Sequence, residues 1–176
     1  GLTFRIRVFN FNRPKSIRKF SWSDYGLCIE HSWMMNKAVF LDRDGILCKE
    51  LGRYLGGVGE FEILPHVPDL LNNLRKRGYL LIMISNQGVI SRGELTLGQV
   101  NEMHSRLQGE LTKVGAQLDA LYFCPHHPEV EACICRKPEP LMIQKAMARY
   151  DIEPKSSIMI GDSPRDVEAA ERAGVK

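Results

Sequence analysis

Short apolar runs that alternate with helical patterns constrain the fold of this chain most. Four runs predict buried strands, at residues 38–41, 80–84, 120–123 and 157–160. Between them, apolar residues recur at three- and four-residue steps, which predicts helices at residues 67–77, 97–114 and 140–150. This alternation indicates an α/β fold, a parallel sheet with helices on its faces.

Three of the predicted strands run into polar residues. The first ends before Asp42, the second before Ser85, and the fourth reaches Asp162 after one glycine. Open parallel sheets bind their ligands outside the carboxyl ends of the strands. We therefore expect these side chains to meet in one functional site at that edge of the sheet.

The composition is that of one ordinary globular domain. Of 176 residues, 44% are hydrophobic and 26% are charged, and a net charge of +3 is too small to indicate a nucleic-acid partner. No run of about 20 apolar residues predicts a membrane span, and no apolar stretch of a secretory signal follows the basic start. We expect a cytoplasmic monomer without a nucleic-acid or membrane partner.

The two ends of the chain differ from its middle. Residues 1–34 lack clear periodicity, and the first twenty are basic without one acidic residue, which favours a solvated tail over an arm for nucleic acid or membrane. We treat residues 1–34 as an extension of unassigned role or an extraneous leader, and residues 35–176 as the domain. Residues 173–176 predict a helix stop and the start of another strand, so we expect a domain truncated before its closing strand.

Asp42 and Asp44 stand two residues apart directly after a buried strand, and Gly45 allows a tight turn behind them. Two carboxylates this close repel each other unless a cation lies between them or one keeps its proton. The pair therefore indicates a magnesium site, an acid/base couple, or both; the alternative is a solvated turn. Asp162 could add a further oxygen ligand, with Asp166 as an alternate ligand, or Asp162 or Ser163 could merely cap the following helix.

Two other segments carry groups that suit a phosphate. Ser85 and Asn86 offer a hydroxyl and nearby backbone N–H groups that can hold a phosphoryl oxygen. Arg136 and Lys137 offer a bidentate guanidinium and a point charge. Taken alone, the basic pair is explained equally well as surface charge.

Cysteine and histidine residues crowd into the segment 124–135. Cys124 precedes His126 by two positions, and Cys133 precedes Cys135 by two. Three thiolates and one imidazole form a closed tetrahedral zinc site, which would brace this loop and fix the basic pair that follows it. The alternative is a set of reduced buried cysteines, and His127 could replace His126 as the ligand.

The motifs DRDG, SN, RKP and GDSPRD resemble, in order and chemistry, the four motifs of the haloacid dehalogenase superfamily, over residues 37–176. The resemblance implies a Rossmann-like α/β fold and a magnesium-dependent phosphatase that forms an aspartyl-phosphate. It implies that Asp42 is the nucleophile and a magnesium ligand, and that Asp44 is the acid/base residue whose main-chain carbonyl also binds magnesium. It implies further that Ser85 binds the phosphoryl group, that Lys137 stabilises its charge, and that Asp162 is a magnesium ligand. Residues 45–84 are too few for a large cap domain.

The zinc loop before RKP is similar to one subgroup of that superfamily, which contains heptose 1,7-bisphosphate 7-phosphatases and histidinol-phosphate phosphatases. The segments EFEILP at 60–65 and NQ through SRG at 86–93 resemble the heptose enzymes more. This implies removal of the 7-phosphate of D-glycero-D-manno-heptose 1,7-bisphosphate, a step that feeds lipopolysaccharide synthesis.

The same resemblance assigns further residues. It implies His126 as the zinc ligand, and it implies these substrate contacts: Asn86, Gln87, Arg92, Arg136 and Lys137. The alternative enzyme is a histidinol-phosphate phosphatase. The alternative from another class is a zinc-stabilised binding module with a dead active site, which is disfavoured by the intact Asp42, Asp44, Lys137 and Asp162.

Overall fold

The computed structural model of the chain describes residues 35–49 and 62–176. Its strands are β1 (Lys37–Leu41), β2 (Tyr79–Asn86), β3 (Ala120–Cys124) and β4 (Ile158–Ile160). Its helices are α1 (Val67–Lys76), α2 (Leu97–Lys113), α3 (Leu141–Tyr150) and α4 (Pro164–Arg172), with a 3₁₀ turn at Pro154–Ser156. The predicted strands and helices are present, with bounds shifted by two residues or fewer.

The four strands form one parallel sheet in the order β3-β2-β1-β4. The chain steps from β1 through β2 to β3, and it then crosses back to the other side of β1 to add β4. Ligand crevices of open parallel sheets lie at such a reversal, outside the carboxyl ends of the strands. Asp42 directly follows β1 and therefore lies at this point.

Both faces of the sheet are covered, which explains the continuous apolar runs. Val39 and Leu41 belong to a core cluster with α1 and α2, whereas Ala38 and Phe40 belong to a second cluster with α3 and α4. Successive strand residues point to opposite faces, so the same four residues of β1 serve both cores. The sheet edge that carries the polar residues is thereby held by two packed helix layers.

Local signals set the helix ends. At the start of α2, Thr96 Oγ1 accepts from the Gln99 backbone N–H at 3.2 Å, and Gln99 Oε1 accepts from the Thr96 N–H at 2.8 Å, a capping box. After α1, Gly78 takes a positive φ of 80°, a left-handed conformation that glycine adopts without a steric penalty. Gly78 is the predicted stop of that helix.

The backbone of Lys176 lies beside β4, on the side away from β1. Its N–H donates to the Ser157 carbonyl at 3.3 Å, and its carbonyl accepts from the Met159 N–H at 2.8 Å. A residue of an adjacent parallel strand makes bonds of this kind to its neighbour. Lys176 therefore continues the hydrogen bonding of the sheet beyond β4.

No helix in the described part of the chain is both long and apolar enough to cross a bilayer. The predicted extension at residues 1–34 lies outside the described residues, as do the first two positions of the EFEILP segment.

Candidate active site

Asp42 and Lys137 form the centre of the site. Asp42 is 8% exposed and Lys137 is 2% exposed, and Lys137 Nζ lies 2.9 Å from Asp42 Oδ1. The same carboxylate oxygen accepts from the Arg43 backbone N–H at 2.7 Å. Burial raises the pKa of Asp42, whereas the Lys137 ammonium acts in the opposite direction. A further cation beside Asp42 would favour its charged, nucleophilic form.

The ammonium group of Lys137 lies within 2.9 Å of two carboxylates and one carbonyl. Besides Asp42, Nζ lies 2.5 Å from Asp166 Oδ1 and donates to the Ile84 carbonyl at 2.8 Å. Asn86 fixes the backbone of this lysine, because its side chain donates to the Lys137 carbonyl at 3.1 Å and accepts from the Lys137 N–H at 3.0 Å. The amide of Asn86 thus positions the lysine, and its predicted contact with substrate stays a prediction.

Asp42, Asp162 and Asp166 bring one carboxylate oxygen each to within 4.8 Å of one another. Two glycines permit this approach. A Cβ on Gly45 would lie under 3.0 Å from the Asp162 carboxylate, and a Cβ on Gly161 would lie under 3.0 Å from the side chain of Asp166. The Lys137 ammonium can balance at most one of these three carboxylates, and hard oxygen donors are the ligands that magnesium takes. The donor set therefore fits a magnesium ion.

Asp166 supports the site differently from Asp162. Asp166 is fully buried, pairs with Lys137, and accepts from the Ser163 N–H at 3.0 Å through its other oxygen. Ser163, and not Asp162, is the cap residue of α4. Asp162 is exposed, so its carboxylate is accessible to an ion from solvent.

Asp44 is held by two side chains. Arg43 Nε donates to its Oδ1 at 2.9 Å, Arg43 Nη2 donates to its Oδ2 at 2.9 Å, and Gln87 Nε2 donates to Oδ2 at 3.3 Å. Gln87 also donates to Ser85 Oγ at 2.7 Å, which leaves the Ser85 hydroxyl proton for another acceptor. Ser85 and Gln87 are buried beside the two aspartates, and Ser85 can donate to a phosphoryl oxygen.

Arg136 lies directly before Lys137 and is bonded to the segment 124–135 that carries the cysteine and histidine cluster. Its Nη1 donates to the His126 carbonyl at 2.9 Å. Gly88 packs against it so closely that a Cβ there would lie 3.2 Å from Nη1 and 3.0 Å from the His127 ring. Burial lowers the pKa of Arg136, and the nearby Arg165 charge acts in the same direction. Sequence reasoning did not assign Arg165, which follows Asp162 by three positions.

Arg92 also lies in this cationic region. Its Nε pairs with Glu94 Oε1 at 2.8 Å, and its Nη1 lies 3.5 Å from His127 Nε2. The His127 backbone N–H donates to Ser91 Oγ at 2.7 Å, which joins the two loops. The structure thus brings Arg92, His127 and Arg136 together, and the contacts of Arg92 and Arg136 with a substrate stay a prediction.

The sulfur and nitrogen atoms of the predicted zinc site converge. Cys124 Sγ lies 3.5 Å from His126 Nδ1, 3.6 Å from Cys133 Sγ and 3.0 Å from Cys135 Sγ, and His126 Nδ1 lies 3.2 Å from Cys135 Sγ. None of these sulfur pairs is at the covalent distance of about 2 Å for a disulfide. A tetrahedral ion with thiolate and imidazole ligands needs donor separations near 3.5 Å, so the donor set fits zinc.

The surroundings of these ligands also suit a metal. Burial raises the pKa of Cys133, but backbone N–H groups of Cys135 and Arg136 point at its sulfur, and the net result is a lowered pKa of about 7. His126 presents Nδ1 to the thiols, while its Nε2 lies 3.9 Å from Glu131 Oε1. A carboxylate behind a ligating histidine fixes its orientation. His127 faces Arg92, and therefore His126 is the histidine of the cluster.

His104 is a buried residue near Asp44 that sequence reasoning missed. It lies on α2, is 7% exposed, and its ring meets Phe123 edge to face at a centroid distance of 5.0 Å. A signal was present, because position 104 follows the apolar Val100 by four residues on the buried helix face. Burial lowers the pKa of His104 to about 4, and the Arg43 charge acts in the same direction while Asp44 opposes it.

This lowered pKa predicts a loss of stability in acid. The unfolded chain binds a proton on His104 below its ordinary pKa of about 6.5, whereas the folded chain does so only near 4. Above pH 6.5 His104 is uncharged in both states and does not change the free energy of unfolding. As the pH drops from 6.5 to 4, the unfolded chain alone gains this proton, and the free energy of unfolding falls by up to about 3 kcal/mol. Denaturant unfolding of the native chain and of His104→Phe should show a shallower pH slope in the variant. Equal slopes would contradict the prediction.

A family model described as haloacid dehalogenase-like hydrolase matches residues 32–174. The D-glycero-beta-D-manno-heptose-1,7-bisphosphate 7-phosphatase of Haemophilus influenzae is 39% identical over 147 residues, 81% of this chain and 79% of the relative. The enzyme of the same name from Helicobacter pylori is 42% identical over 142 residues, 80% of this chain and 81% of the relative. A Photorhabdus laumondii relative named for the alpha anomer is 37% identical over 145 residues, 79% of each chain.

The solved structures include a similar fold. The D,D-heptose 1,7-bisphosphate phosphatase from B. bronchiseptica, complexed with magnesium and phosphate, superposes with a TM-score of 0.74 at 31% identity. The match covers 79% of this chain and 77% of that one.

Proposed function

This chain belongs to the haloacid dehalogenase-like hydrolase family, and from that premise we propose that it is a magnesium-dependent phosphatase. It removes the 7-phosphate of D-glycero-D-manno-heptose 1,7-bisphosphate through an aspartyl-phosphate on Asp42. One observation carries the chemistry: Asp42 lies at the carboxyl end of β1, 2.9 Å from the Lys137 ammonium and beside two more carboxylates. The substrate is supported by relatives at 35–42% identity that are named for this activity.

The proposed reaction has two steps. In the first, Asp42 attacks phosphorus, the bond from phosphorus to the sugar oxygen breaks, and Asp44 gives its proton to that oxygen. In the second, Asp44 takes a proton from the water that attacks the aspartyl-phosphate, which releases inorganic phosphate and restores Asp42. Ser85 donates to an oxygen of the transferred phosphoryl group, and the charge of Lys137 stabilises that group. Asn86 acts through the backbone of Lys137.

We assign two metal sites to this enzyme. Asp42 and Asp162, with the main-chain carbonyl of Asp44, would hold magnesium, which would neutralise phosphoryl oxygens. Support comes from the convergent carboxylates and from the magnesium and phosphate in the B. bronchiseptica structure. Cys124, His126, Cys133 and Cys135 would hold a structural zinc ion, supported by their donor distances.

The remainder of the substrate would contact Arg92 and Arg136, and also Gln87, whose side chain donates to Asp44. A second phosphate on the sugar would meet the positive charge around Arg136. The product would be a heptose 1-phosphate, which suits a supply of sugar for lipopolysaccharide. Because the cysteine cluster requires reduced thiols, we place the enzyme in the cytoplasm. We propose that a monomer is the active form.

Steady-state kinetics on three substrates test this proposal. We expect magnesium-dependent release of phosphate from the α or the β anomer of heptose 1,7-bisphosphate, with kcat/KM at least about 100-fold above that for histidinol phosphate, which lacks a second phosphate. Removal of magnesium with a chelator should abolish the activity. A preference for histidinol phosphate would keep the chemistry and overturn the substrate.

A further inference from the structure

The loop at residues 88–95, which we call the Arg92 loop, follows β2 and carries one of the proposed substrate contacts. Val89 and Leu95 lie near its two ends, are buried, and pack in one apolar cluster with residues of α2. Arg92 lies between these two anchors and is half-buried. The loop is therefore fixed at both ends, and the position of Arg92 depends on what holds the middle of the loop.

Ser91 joins the middle of the Arg92 loop to the segment 124–135. Its backbone N–H donates to the Pro125 carbonyl at 3.1 Å, and its Oγ accepts from the His127 N–H at 2.7 Å. The same hydroxyl donates to the Gly88 carbonyl at 3.2 Å, within its own loop. The hydroxyl thus acts as donor and acceptor at once, and an alanine side chain would leave the His127 N–H without this acceptor.

The two segments that Ser91 joins meet at a cluster of basic groups. Arg92 Nη1 lies 3.5 Å from His127 Nε2. The His127 ring and Arg136 Nη1 each have an atom within 3.2 Å of the point that a Cβ on Gly88 would occupy. Arg136 directly precedes Lys137 of the site. Two guanidinium groups from different segments therefore approach the same imidazole, an arrangement that suits a phosphate with several acceptor oxygens.

We propose that Ser91 is a positioning residue that sets the preference for a substrate with a second phosphate. Its hydroxyl holds the Arg92 loop on the segment 124–135, so that Arg92 and Arg136 bind one phosphate together. The inference rests on the proposed function, in which the other phosphate reacts at Asp42. Ser91 acts through Arg92, so its loss weakens the binding of the second phosphate and leaves the chemical step unchanged.

Two substrates that differ by one phosphate reveal this role. Heptose 1,7-bisphosphate carries the second phosphate, whereas the 7-phosphate of the same heptose lacks it. In Ser91→Ala we expect KM for the bisphosphate to rise about fivefold, the factor of one ordinary hydrogen bond, with kcat within about twofold. Both constants for heptose 7-phosphate should stay within about twofold. Ser91→Thr, which keeps a hydroxyl, should recover most of the lost binding.

A double-mutant cycle tests whether Ser91 acts through Arg92. In the Arg92→Met background, Ser91→Ala should cause no further rise in KM for the bisphosphate, because the guanidinium that it positions is gone. The two losses should therefore be strongly non-additive in free energy. Losses in KM that simply multiply would mean that Ser91 and Arg92 act independently, and they would overturn the inference.

Controls separate this inference from the proposed function. Ser105→Ala makes the same change at an exposed serine of α2 and should leave both substrates unaffected. An equal loss on both substrates in Ser91→Ala would mean a merely structural role, and no loss on the bisphosphate would mean no role; each overturns the inference. Phosphate release that survives Asp42→Asn would instead overturn the proposed function, and the inference with it.

Discussion

Replacement of Asp42 with asparagine should lower phosphate release at least about 10⁴-fold, as removal of a catalytic nucleophile does. The amide keeps the shape of the carboxylate but cannot form the acyl-phosphate bond. The fold should survive, because Lys137 keeps Asp166 and the Ile84 carbonyl as acceptors. Removal of one charge from three converging carboxylates also relieves repulsion.

The measurement is kcat/KM on heptose 1,7-bisphosphate, together with the thermal unfolding midpoint. Asp69→Asn is a matched control, since Asp69 is an exposed carboxylate in the first turn of α1 and makes the same chemical change away from the site. That control should keep full activity. An Asp42→Asn variant that is folded and still turns over substrate would contradict the assignment of Asp42.

Cys135→Ser should remove the zinc ion and destabilise the enzyme. Cys135 Sγ lies within 3.2 Å of both Cys124 Sγ and His126 Nδ1, so its loss opens the tetrahedral set. A structural zinc ion contributes several kcal/mol to folding, and we expect the unfolding midpoint to fall by about 10 °C or more. Activity should fall as well, because Arg136 follows this ligand directly and is bonded to the His126 carbonyl.

Metal analysis and thermal unfolding check this expectation. The native chain should contain one zinc ion, and Cys135→Ser should contain almost none. Cys48→Ala, at a buried free cysteine outside the cluster, is the matched control and should retain its zinc. A native chain without zinc would show that these thiols are only buried packing residues, the alternative that the sequence left open. Full zinc content and an unchanged midpoint in Cys135→Ser would exclude Cys135 as a ligand.

The fold could be predicted from the sequence because its signals are local. The run that ends at Leu41 is apolar at every position, as expected of a strand buried on both faces. Gly78 marked the end of α1 by a conformation that glycine favours. The similarity to the heptose bisphosphate phosphatases of known structure confirms the predicted fold class. The order of the strands in the sheet was not predicted, since it depends on contacts between distant segments.

The site could be predicted in part for the same reason. Motifs indicated the carboxylates and the cysteine and histidine cluster, but they did not reveal what each side chain contacts. Asn86, expected at the substrate, bonds the backbone of Lys137 across 51 positions of sequence. Arg43 is the second residue of DRDG and was given no role from the sequence, yet it is buried and holds the Asp44 carboxylate. Such roles arise from the register of the strands and helices, which residue types alone do not specify.

The most direct test of the central claim is the ³¹P NMR spectrum of heptose 1,7-bisphosphate during turnover by the magnesium-loaded enzyme. We expect the signal of the 7-phosphate to disappear with the growth of inorganic phosphate, while the signal of the anomeric 1-phosphate persists in the product. Loss of the 1-phosphate with retention of the 7-phosphate, or no release of inorganic phosphate from either position, would contradict the proposed function.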